Sequence, residues 1–207
     1  MPRIRAESIE QHKAINRAAI LNAAEESFYA HGYATVSLGS VADLAGIPRS
    51  TLYDYFPNKQ ALMAALIEER VPPLLAEWVG GLSDSSPWDR LEALFTTTLR
   101  IVGAHPRLAA VVLGAGRGIP RTLHDQLIPV VGAVFGEVNR ICSWGIAEGE
   151  FAEFEIDALT SVIVDVLAGG VEDVIGRDRP ARPVDVVVAT RLSVLRHGIA
   201  TPDPAGG

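Results

Sequence analysis

The chain has 207 residues, of which 48% are hydrophobic, and its formal net charge is −7. This composition is ample for a buried core and argues against disorder. One cysteine, Cys142, excludes an internal disulfide and a cysteine-rich metal site. Neither a signal-peptide core nor an apolar run near the ~20 residues of a membrane span is present, so we expect a cytoplasmic protein that does not enter a membrane.

The chain begins with a charged segment that we predict to be a flexible basic arm over residues 1–10. Helix 1 is predicted from Gln11 to Ala30. Within it Ile20, Ala24 and Phe28 recur at four-residue spacing, which indicates one apolar face that packs on the helices that follow.

Residues 36–59 predict two short helices joined by a tight turn. Ser37 is a suitable N-cap for the first helix. Gly46 stands where a left-handed residue ends a helix and reverses the chain. Pro48 then favours the first turn of the second helix, where its missing N–H costs nothing.

The second short helix has one apolar and one polar face. Leu52 and Phe56 are four residues apart and are expected to point into the core, which leaves the open face to Arg49, Ser50 and Tyr53. A short helix held by its neighbour, with an arginine and hydroxyl groups outward, is typical of a helix-turn-helix that reads the DNA major groove. Arginine suits a base contact because its guanidinium donates two hydrogen bonds to guanine O6 and N7.

The next helix begins at Lys59, after a cap provided by Asn58. The helix macrodipole disfavours a cation in the first turn, so this position suggests an external anion such as a DNA phosphate. A solvated surface lysine is the alternative.

A domain boundary is predicted where Val71-Pro72-Pro73 should break or kink this helix. It separates an N-terminal domain, residues 11–71, from a C-terminal helical domain, residues 72–200. Five further helical patterns follow, at about residues 86–102, 105–113, 120–148, 157–175 and 183–197. Residues 201–207 read as a disordered Pro- and Gly-rich tail. No strand-like alternation of useful length occurs, so the predicted fold class is all-α.

Short motifs in the first third of the chain resemble the DNA-binding domain of TetR-family transcriptional regulators, of the AcrR-like type. They lie in a segment from about Lys13 to Glu69 and read Thr35-Val36-Ser37, Val41-Ala42, Ala45-Gly46-Ile47, Thr51-Leu52-Tyr53, Tyr55-Phe56 and Lys59. The resemblance implies a homodimer that binds a palindromic operator in double-stranded DNA. It also implies a repressor that a small-molecule effector releases from the operator, although activators share this architecture.

The resemblance further implies which residues contact DNA. Base contacts are expected from Arg49, Ser50 and Tyr53. Phosphate contacts are expected from Thr35, Leu38, Thr51, Tyr55 and Lys59, and the Ser37 hydroxyl could serve as a cap or as a phosphate donor. For the two tyrosines the alternative is packing against the next helix.

Two residues of the motif depart from the family pattern, and the net charge opposes DNA binding. Gly39 stands where a basic side chain can read a base, and Asp54 would be repelled by a phosphate. With a charge of −7, non-specific affinity should be modest and strongly reduced by salt.

The effector is expected to be mostly apolar and to bind in the C-terminal domain. Its candidate walls are aromatic residues with a few polar ones: Phe95, Thr98, His105, His124, Phe135, Trp144 and Phe151. Packing in the ordinary core is the alternative for each aromatic residue.

The last two predicted helices are apolar on several sides, which indicates a four-helix interface between subunits. The candidate interface residues are Val162, Val166, Gly169, Val188, Leu192 and Leu195. Packing inside one subunit is the alternative.

An enzyme is the rival class, and the sequence offers little for it. The five histidines are scattered without a His-Glu-x-x-His pair, and neither a strand-linked phosphate loop nor a Gly-x-Ser-x-Gly motif is present. We therefore expect no catalytic residues, no metal and no cofactor. A second rival is a helix-turn-helix protein controlled by a protein partner instead of a small molecule.

Overall fold

The computed structural model describes residues 2–82, 85–113, 121–176 and 180–200, with side chains except at 2–9, 113, 121–124 and 126. Within these ranges the chain forms α-helices only, apart from one isolated antiparallel bridge between Phe151 and Ala200. The all-α prediction is confirmed. The helices are α1 (Pro2–His31), α2 (Leu38–Ala45), α3 (Arg49–Tyr55), α4 (Lys59–Gly80), α5 (Pro87–Ala104), α6 (Pro106–Leu113), α7 (Arg121–Ala147), α8 (Ile156–Ile175) and α9 (Val184–Ile199).

Helix α1 begins at Pro2, so the prediction of a flexible arm over residues 1–10 is wrong from the second residue onward. A proline is tolerated in the first turn of a helix because the amide there has no intrahelical acceptor. The arginine, alanine, glutamate and glutamine residues that follow are good helix formers, and no glycine interrupts them.

Helix α4 continues through Pro72 and Pro73 to Gly80, so, of the predicted break or kink at this position, the break is wrong. Each proline removes one amide donor from the helix, but its ring fixes φ near the helical value. Two adjacent prolines are therefore compatible with a helix that lacks two of its internal hydrogen bonds.

The chain divides into two compact units, and each is described separately below. The first comprises Met1–Pro72 with Arg107–Leu127, and the second comprises Pro73–Pro106 with Ile128–Gly207. The division at Pro72 falls beside the predicted boundary, but Arg107–Leu127 groups with the N-terminal unit instead of the predicted C-terminal domain.

The core of the first unit forms where α1 packs on α2 and α2 packs on α3. Ile20, Ala24 and Phe28 of α1 are buried, as the four-residue spacing predicts. Val41 of α2 and Leu52 of α3 are fully buried as well. Burial of these apolar faces fixes the two short helices, which are too short to be stable alone.

The second unit is built on mutual packing of α5, α8 and α9. Its largest fully buried side chains include Phe95, Leu99 and Phe151. Cys142 is completely buried, and burial raises the pKa of its thiol, so it is a structural cysteine. Among the residues described, no helix combines the length and apolarity needed to cross a membrane.

Candidate DNA-reading surface and C-terminal cleft

Local hydrogen bonds fix both ends of helix α2. The Ser37 hydroxyl accepts from the Ser40 amide at 3.1 Å, and the Ser37 amide donates to the Ser40 hydroxyl oxygen at 3.3 Å, which is a reciprocal capping box. At the other end Gly46 has φ 70°, and its amide donates to the carbonyls of Ala42 and Asp43. Both predicted roles, Ser37 as N-cap and Gly46 as left-handed terminator, are confirmed.

Helix α3 presents the face that the sequence predicts. Leu52 is fully buried and Phe56, just after the helix, is 2% exposed. Arg49 and Ser50 are exposed, and Tyr53 retains 54% of its surface. The Tyr53 ring is therefore available to a ligand instead of being packed against α4. The other two predicted contacts on this helix, Thr51 and Tyr55, are half-buried, and the Tyr55 ring lies 6.4 Å from that of Phe56.

Arg49 at the start of α3 is held by helix α2. Its Nη2 donates to Asp43 Oδ2 at 2.8 Å. The hydrogen bond from the guanidinium to Asp43, with the charge of that carboxylate, raises the pKa of Arg49 above its ordinary value, so this side chain is always a cation. The role of Asp43 is not predictable from the sequence, because a partner six residues away across a turn follows no simple spacing rule.

Lys59 has a use different from the predicted one. Its Nζ donates to the main-chain carbonyls of Tyr33 at 2.6 Å, Ala34 at 3.0 Å and Val36 at 2.9 Å, and it lies 4.6 Å from the centroid of the Tyr33 ring. An ammonium has three N–H donors, and all three have acceptors here. The carbonyl oxygens of the loop between α1 and α2 thus stabilise this cation without an external anion, and a phosphate contact of Lys59 stays a prediction. The predicted cap is present, since Asn58 Oδ1 accepts from the Ala61 amide at 2.8 Å.

The side chains of two other residues predicted to contact phosphate, Thr35 and Leu38, contact the protein itself. The Thr35 hydroxyl contacts the carbonyl oxygens of His31 and Gly32, at 3.2 Å for the latter. The side chain of Leu38 is buried, with 8% of its surface exposed. What Leu38 can offer a phosphate is its main-chain amide, which at the first position of α2 has no acceptor within the helix.

Within the first unit, side chains of α1 and α4 also pair beside the helix-turn-helix of residues 33–59, which we call the reader. Arg17 Nε donates to Glu69 Oε1 at 2.6 Å, and its guanidinium lies 4.9 Å from the centroid of the Phe56 ring. Arg70 Nη2 donates to Asn22 Oδ1. These pairs join residues about fifty positions apart, and no local sequence pattern points to them.

The second unit contains a cleft between α5 and α9 with a volume of about 730 Å³. Its walls combine one aromatic residue with apolar and charged ones: Trp88, Glu92, Thr96, Arg100, Val184, Asp185, Val188, Ala189, Leu192, Ser193, Arg196 and His197. At one end the Arg196 guanidinium lies 5.0 Å from the centroid of the Trp88 ring.

Of the seven residues predicted to line an effector site, the six whose side chains are described do not line this cleft. Phe95 and Phe151 are core residues with 0% and 2% exposure. Thr98 accepts a hydrogen bond from Trp78 Nε1 at 2.8 Å, and His105 is the exposed residue that ends α5.

The other three residues predicted for the effector site are Phe135, Trp144 and His124. Phe135 is 41% exposed and Trp144 is half-buried, while the side chain of His124 lies outside the described residues. Helical spacing could not separate these cases, because aromatic residues at that spacing serve a core as well as a binding site. Within the described part of the chain, no cluster of three or more metal-ligating side chains occurs.

The predicted subunit interface is partly occupied by contacts within one chain. Leu195 is 3% exposed and belongs to the core, and Gly169 is covered by the guanidinium of Arg191, whose Nη1 donates to the Val166 carbonyl at 2.9 Å. Val188 and Leu192 are half-buried in the cleft wall.

An apolar surface on α8 and α9 remains exposed. Val162 is 52% exposed, and the sequence analysis missed Val186 at 50% and Val194 at 64%. The face of a lone helix does not reveal which of its apolar residues the neighbouring helices already cover.

The first unit thus defines a helix-turn-helix protein, with further helices after the reader. Residues 20–66 match the family model for bacterial regulatory proteins of the tetR family. The match covers about a quarter of the chain, so the similarity to this family is shown for residues 20–66.

Relatives and solved structures agree with this assignment. An uncharacterized HTH-type transcriptional regulator of Mycobacterium tuberculosis is 38% identical over 92 residues, which are 44% of this chain and 46% of the relative, so the match spans about half the length of that protein. A regulatory protein of the tetR family from Rhodococcus RHA1 has a TM-score of 0.77 at 19% identity over 91% of this chain and 98% of its own. FadR of Bacillus subtilis, a transcriptional regulator solved with stearoyl-CoA, has a TM-score of 0.71 at 20% identity over 88% of this chain and 98% of its own. These two structures share the fold, and the three proteins are transcriptional regulators rather than enzymes.

Proposed function

We propose that this protein is a cytoplasmic, sequence-specific DNA-binding regulator of transcription, and that it represses by occupying a palindromic operator. The observation that carries the proposal is the exposed row of Arg49, Ser50 and Tyr53 on α3, above a base formed by Leu52 and Phe56. Residues near the start of a recognition helix are those that reach base edges in the major groove.

Phosphates would be bound by main-chain amides as well as by side chains. Leu38 and Lys59 begin α2 and α4, and the amides at the start of a helix point outward and favour anions. In this proposal Lys59 acts through its amide, because its ammonium is already bonded to three carbonyls. Thr51 and Tyr55 are the half-buried side chains that would contact the DNA backbone.

A homodimer would place two readers on one face of the DNA, about 34 Å apart. The exposed valines of α8 and α9, Val162, Val186 and Val194, are the candidates for that interface, because exposed apolar side chains are covered when two subunits associate.

The reader is tested by selecting binding sites from randomised DNA with purified wild-type, Arg49→Ala and Tyr53→Ala proteins. Wild type should enrich a palindrome that both variants fail to recover. Arg182→Ala is the matched control, because that arginine is 63% exposed and belongs to the C-terminal unit. Failure of wild type to enrich any sequence at low salt would contradict the proposal.

The dimer is tested by Val194→Asp, which puts a charge into the exposed valine surface. Sedimentation equilibrium should show a dimer for wild type and monomers for the variant. Ile15→Asp is the control, since Ile15 is 61% exposed on α1 and belongs to the first unit. Equal dimerisation of Val194→Asp and wild type would place the interface elsewhere.

We further propose that a small molecule controls DNA binding by occupying the C-terminal unit. The cleft between α5 and α9 has the volume of an ordinary ligand site, and Val184, Val188 and Leu192 give it an apolar wall. Charged residues at both ends favour an amphipathic effector over a purely apolar one. Stearoyl-CoA, bound by the FadR neighbour, is a suitable probe.

The effector proposal is tested by titrating stearoyl-CoA while following the fluorescence of Trp88 in the cleft. We expect a fluorescence change in wild type that Trp88→Phe lacks, and a lower affinity in Leu192→Arg. Operator binding should weaken with the same midpoint. No binding, or binding without any effect on operator affinity, would leave the protein-partner alternative as the better explanation.

A further inference from the structure

The guanidinium of Arg49 lies in a cradle formed by two residues of helix α2, Gly39 and Asp43. These two residues are four positions apart and share one face of the helix. Arg49 Nη2 donates to Asp43 Oδ2 at 2.8 Å. A Cβ atom on residue 39 would lie only 3.1 Å from Arg49 Cζ and 3.3 Å from its Nε, so the guanidinium rests directly on the helix at Gly39.

The cradle orders a side chain that would otherwise be mobile. The side chains of Arg49 and Asp43 are 65% and 63% exposed, and an exposed arginine normally samples many rotamers. Guanidinium has five N–H donors in a fixed plane, and Asp43 accepts from one nitrogen. Donors on the other nitrogens remain for a second acceptor while the plane stays fixed.

We propose that Asp43 is a positioning residue for DNA reading: it holds the Arg49 guanidinium in the plane from which Arg49 recognises guanine, and Gly39 provides the space for it. This inference rests on the proposed function. Gly39 has no side chain with which to read a base, but the space at this position accommodates the guanidinium of Arg49.

A positioning role can be separated from a simple charge effect. Asp43 carries a negative charge on the proposed DNA-facing side, so its removal should raise affinity for DNA of any sequence. If charge were its whole contribution, the ratio of affinities for operator and mutated operator would not change. If Asp43 positions Arg49, that ratio falls at the base pair that Arg49 reads.

The experiment uses the operator recovered by selection and a set of operators in which each G·C pair is replaced in turn. Dissociation constants are measured for the full-length wild type, Asp43→Asn, Arg49→Ala and the double variant. Arg49→Ala should lower discrimination at one G·C pair about ten- to a hundredfold, the range of a lost bidentate guanine contact. Asp43→Asn should lower it about two- to fivefold at the same pair, as expected for an exposed ion pair, with unchanged or higher affinity for non-operator DNA. In the Arg49→Ala background, Asp43→Asn should have no further effect on discrimination.

Gly39→Ala gives a second variant whose folding is not at risk. Alanine is the better helix former, so the melting temperature should stay the same or rise. The added methyl group displaces the guanidinium, so discrimination at the Arg49 pair should fall. Gly132→Ala in α7, where a Cβ would meet nothing within 4 Å, is the matched control and should leave discrimination unchanged.

Undiminished discrimination in both Asp43→Asn and Gly39→Ala would overturn the positioning role while leaving the DNA-reading function intact. Loss of discrimination at a different base pair from the one affected by Arg49→Ala would overturn it as well. Failure to recover any operator would instead count against the proposed function, so the two failures are distinguishable.

Discussion

The reader and the C-terminal unit place their polar contacts differently. In the reader, hydrogen bonds to the main chain are concentrated on one loop and one helix. Ser37 caps α2, Gly46 ends it, and Lys59 Nζ bonds the three carbonyls of the α1–α2 loop. Such bonds fix backbone geometry directly, which is what the proposed contact with a DNA groove would require.

In the C-terminal unit, side-chain pairs also join one helix to another. Arg90 pairs with Glu137, and Arg191 Nη2 donates to Asp173 Oδ2 at 2.8 Å. The ring of Phe151 fills the space beside Gly145, where a Cβ atom would overlap it. These contacts determine how the helices of this unit pack. We therefore expect the C-terminal unit to lose most stability when a core side chain is removed. The reader should lose most when a side chain bonded to the α1–α2 loop is removed.

The largest effect is expected from Phe151→Ala. Phe151 is 2% exposed, and its ring centroid lies 4.9 Å from that of Trp88. Loss of a buried phenyl ring should lower the free energy of unfolding by about 3–5 kcal/mol. Phe154→Ala, at a side chain that is 46% exposed, is the control and should cost far less. Urea denaturation followed by circular dichroism measures both, and equal losses would mean that Phe151 is not a core residue.

A smaller loss is expected from Lys59→Met, which keeps the aliphatic stem and removes the ammonium. Three carbonyl oxygens of the α1–α2 loop then lose a charged donor, which should cost about 2 kcal/mol. Amide hydrogen exchange should also speed up at residues 33–36. Lys13→Met, at a lysine that is 59% exposed and bonded to Glu10, should change stability by less than about 0.5 kcal/mol. Unchanged amide hydrogen exchange at residues 33–36 in Lys59→Met would contradict the role of this ammonium in holding the loop.

The smallest effect is expected from Glu137→Gln, and it should depend on pH. Burial alone would raise the pKa of Glu137, but the hydrogen bonds from Arg140 and Arg90 outweigh it and lower the pKa below the ordinary value. A lowered pKa stabilises the fold above the ordinary glutamate pKa, and this contribution is lost as pH falls through the lower, folded-state value.

Wild type should therefore exceed Glu137→Gln by about 1 kcal/mol at neutral pH, since the amide retains one acceptor for the arginines. The difference should shrink towards zero as the pH falls well below 4. Thermal unfolding of both proteins from pH 7 to pH 3 measures it, and a difference independent of pH would contradict the assignment.

The reader could be predicted from sequence because its determinants are local. Ser37, Gly46, Leu52 and Phe56 act through caps, handedness and spacing that each involve a few neighbouring residues. The roles of Lys59 and Asp43 could not be predicted in the same way. Their partners are 23 to 26 positions away in one case and across a turn in the other.

The ligand and interface residues of the C-terminal unit were predicted less well for the same reason. Leu195 and Val194 are adjacent in sequence, yet one is 3% and the other 64% exposed. Which of the two residues is buried depends on where α5 and α8 pack on α9, and this is a property of the folded unit. The helices themselves followed from periodicity, apart from the first residues of α1 and the prolines of α4.

The bridge between Phe151 and Ala200 has a consequence for synthesis on the ribosome. The Ala152 amide also donates to the Ile199 carbonyl at 2.8 Å, so Phe151 meets its partners at the end of α9 only after about fifty more residues have been made. The contacts among α1, α2 and α3, by contrast, close within residues 2–55, and segments that emerge first generally fold first. Until α9 emerges, the aromatic side chains of Trp88 and Phe151 lack their contacts with Arg196 and Ala200.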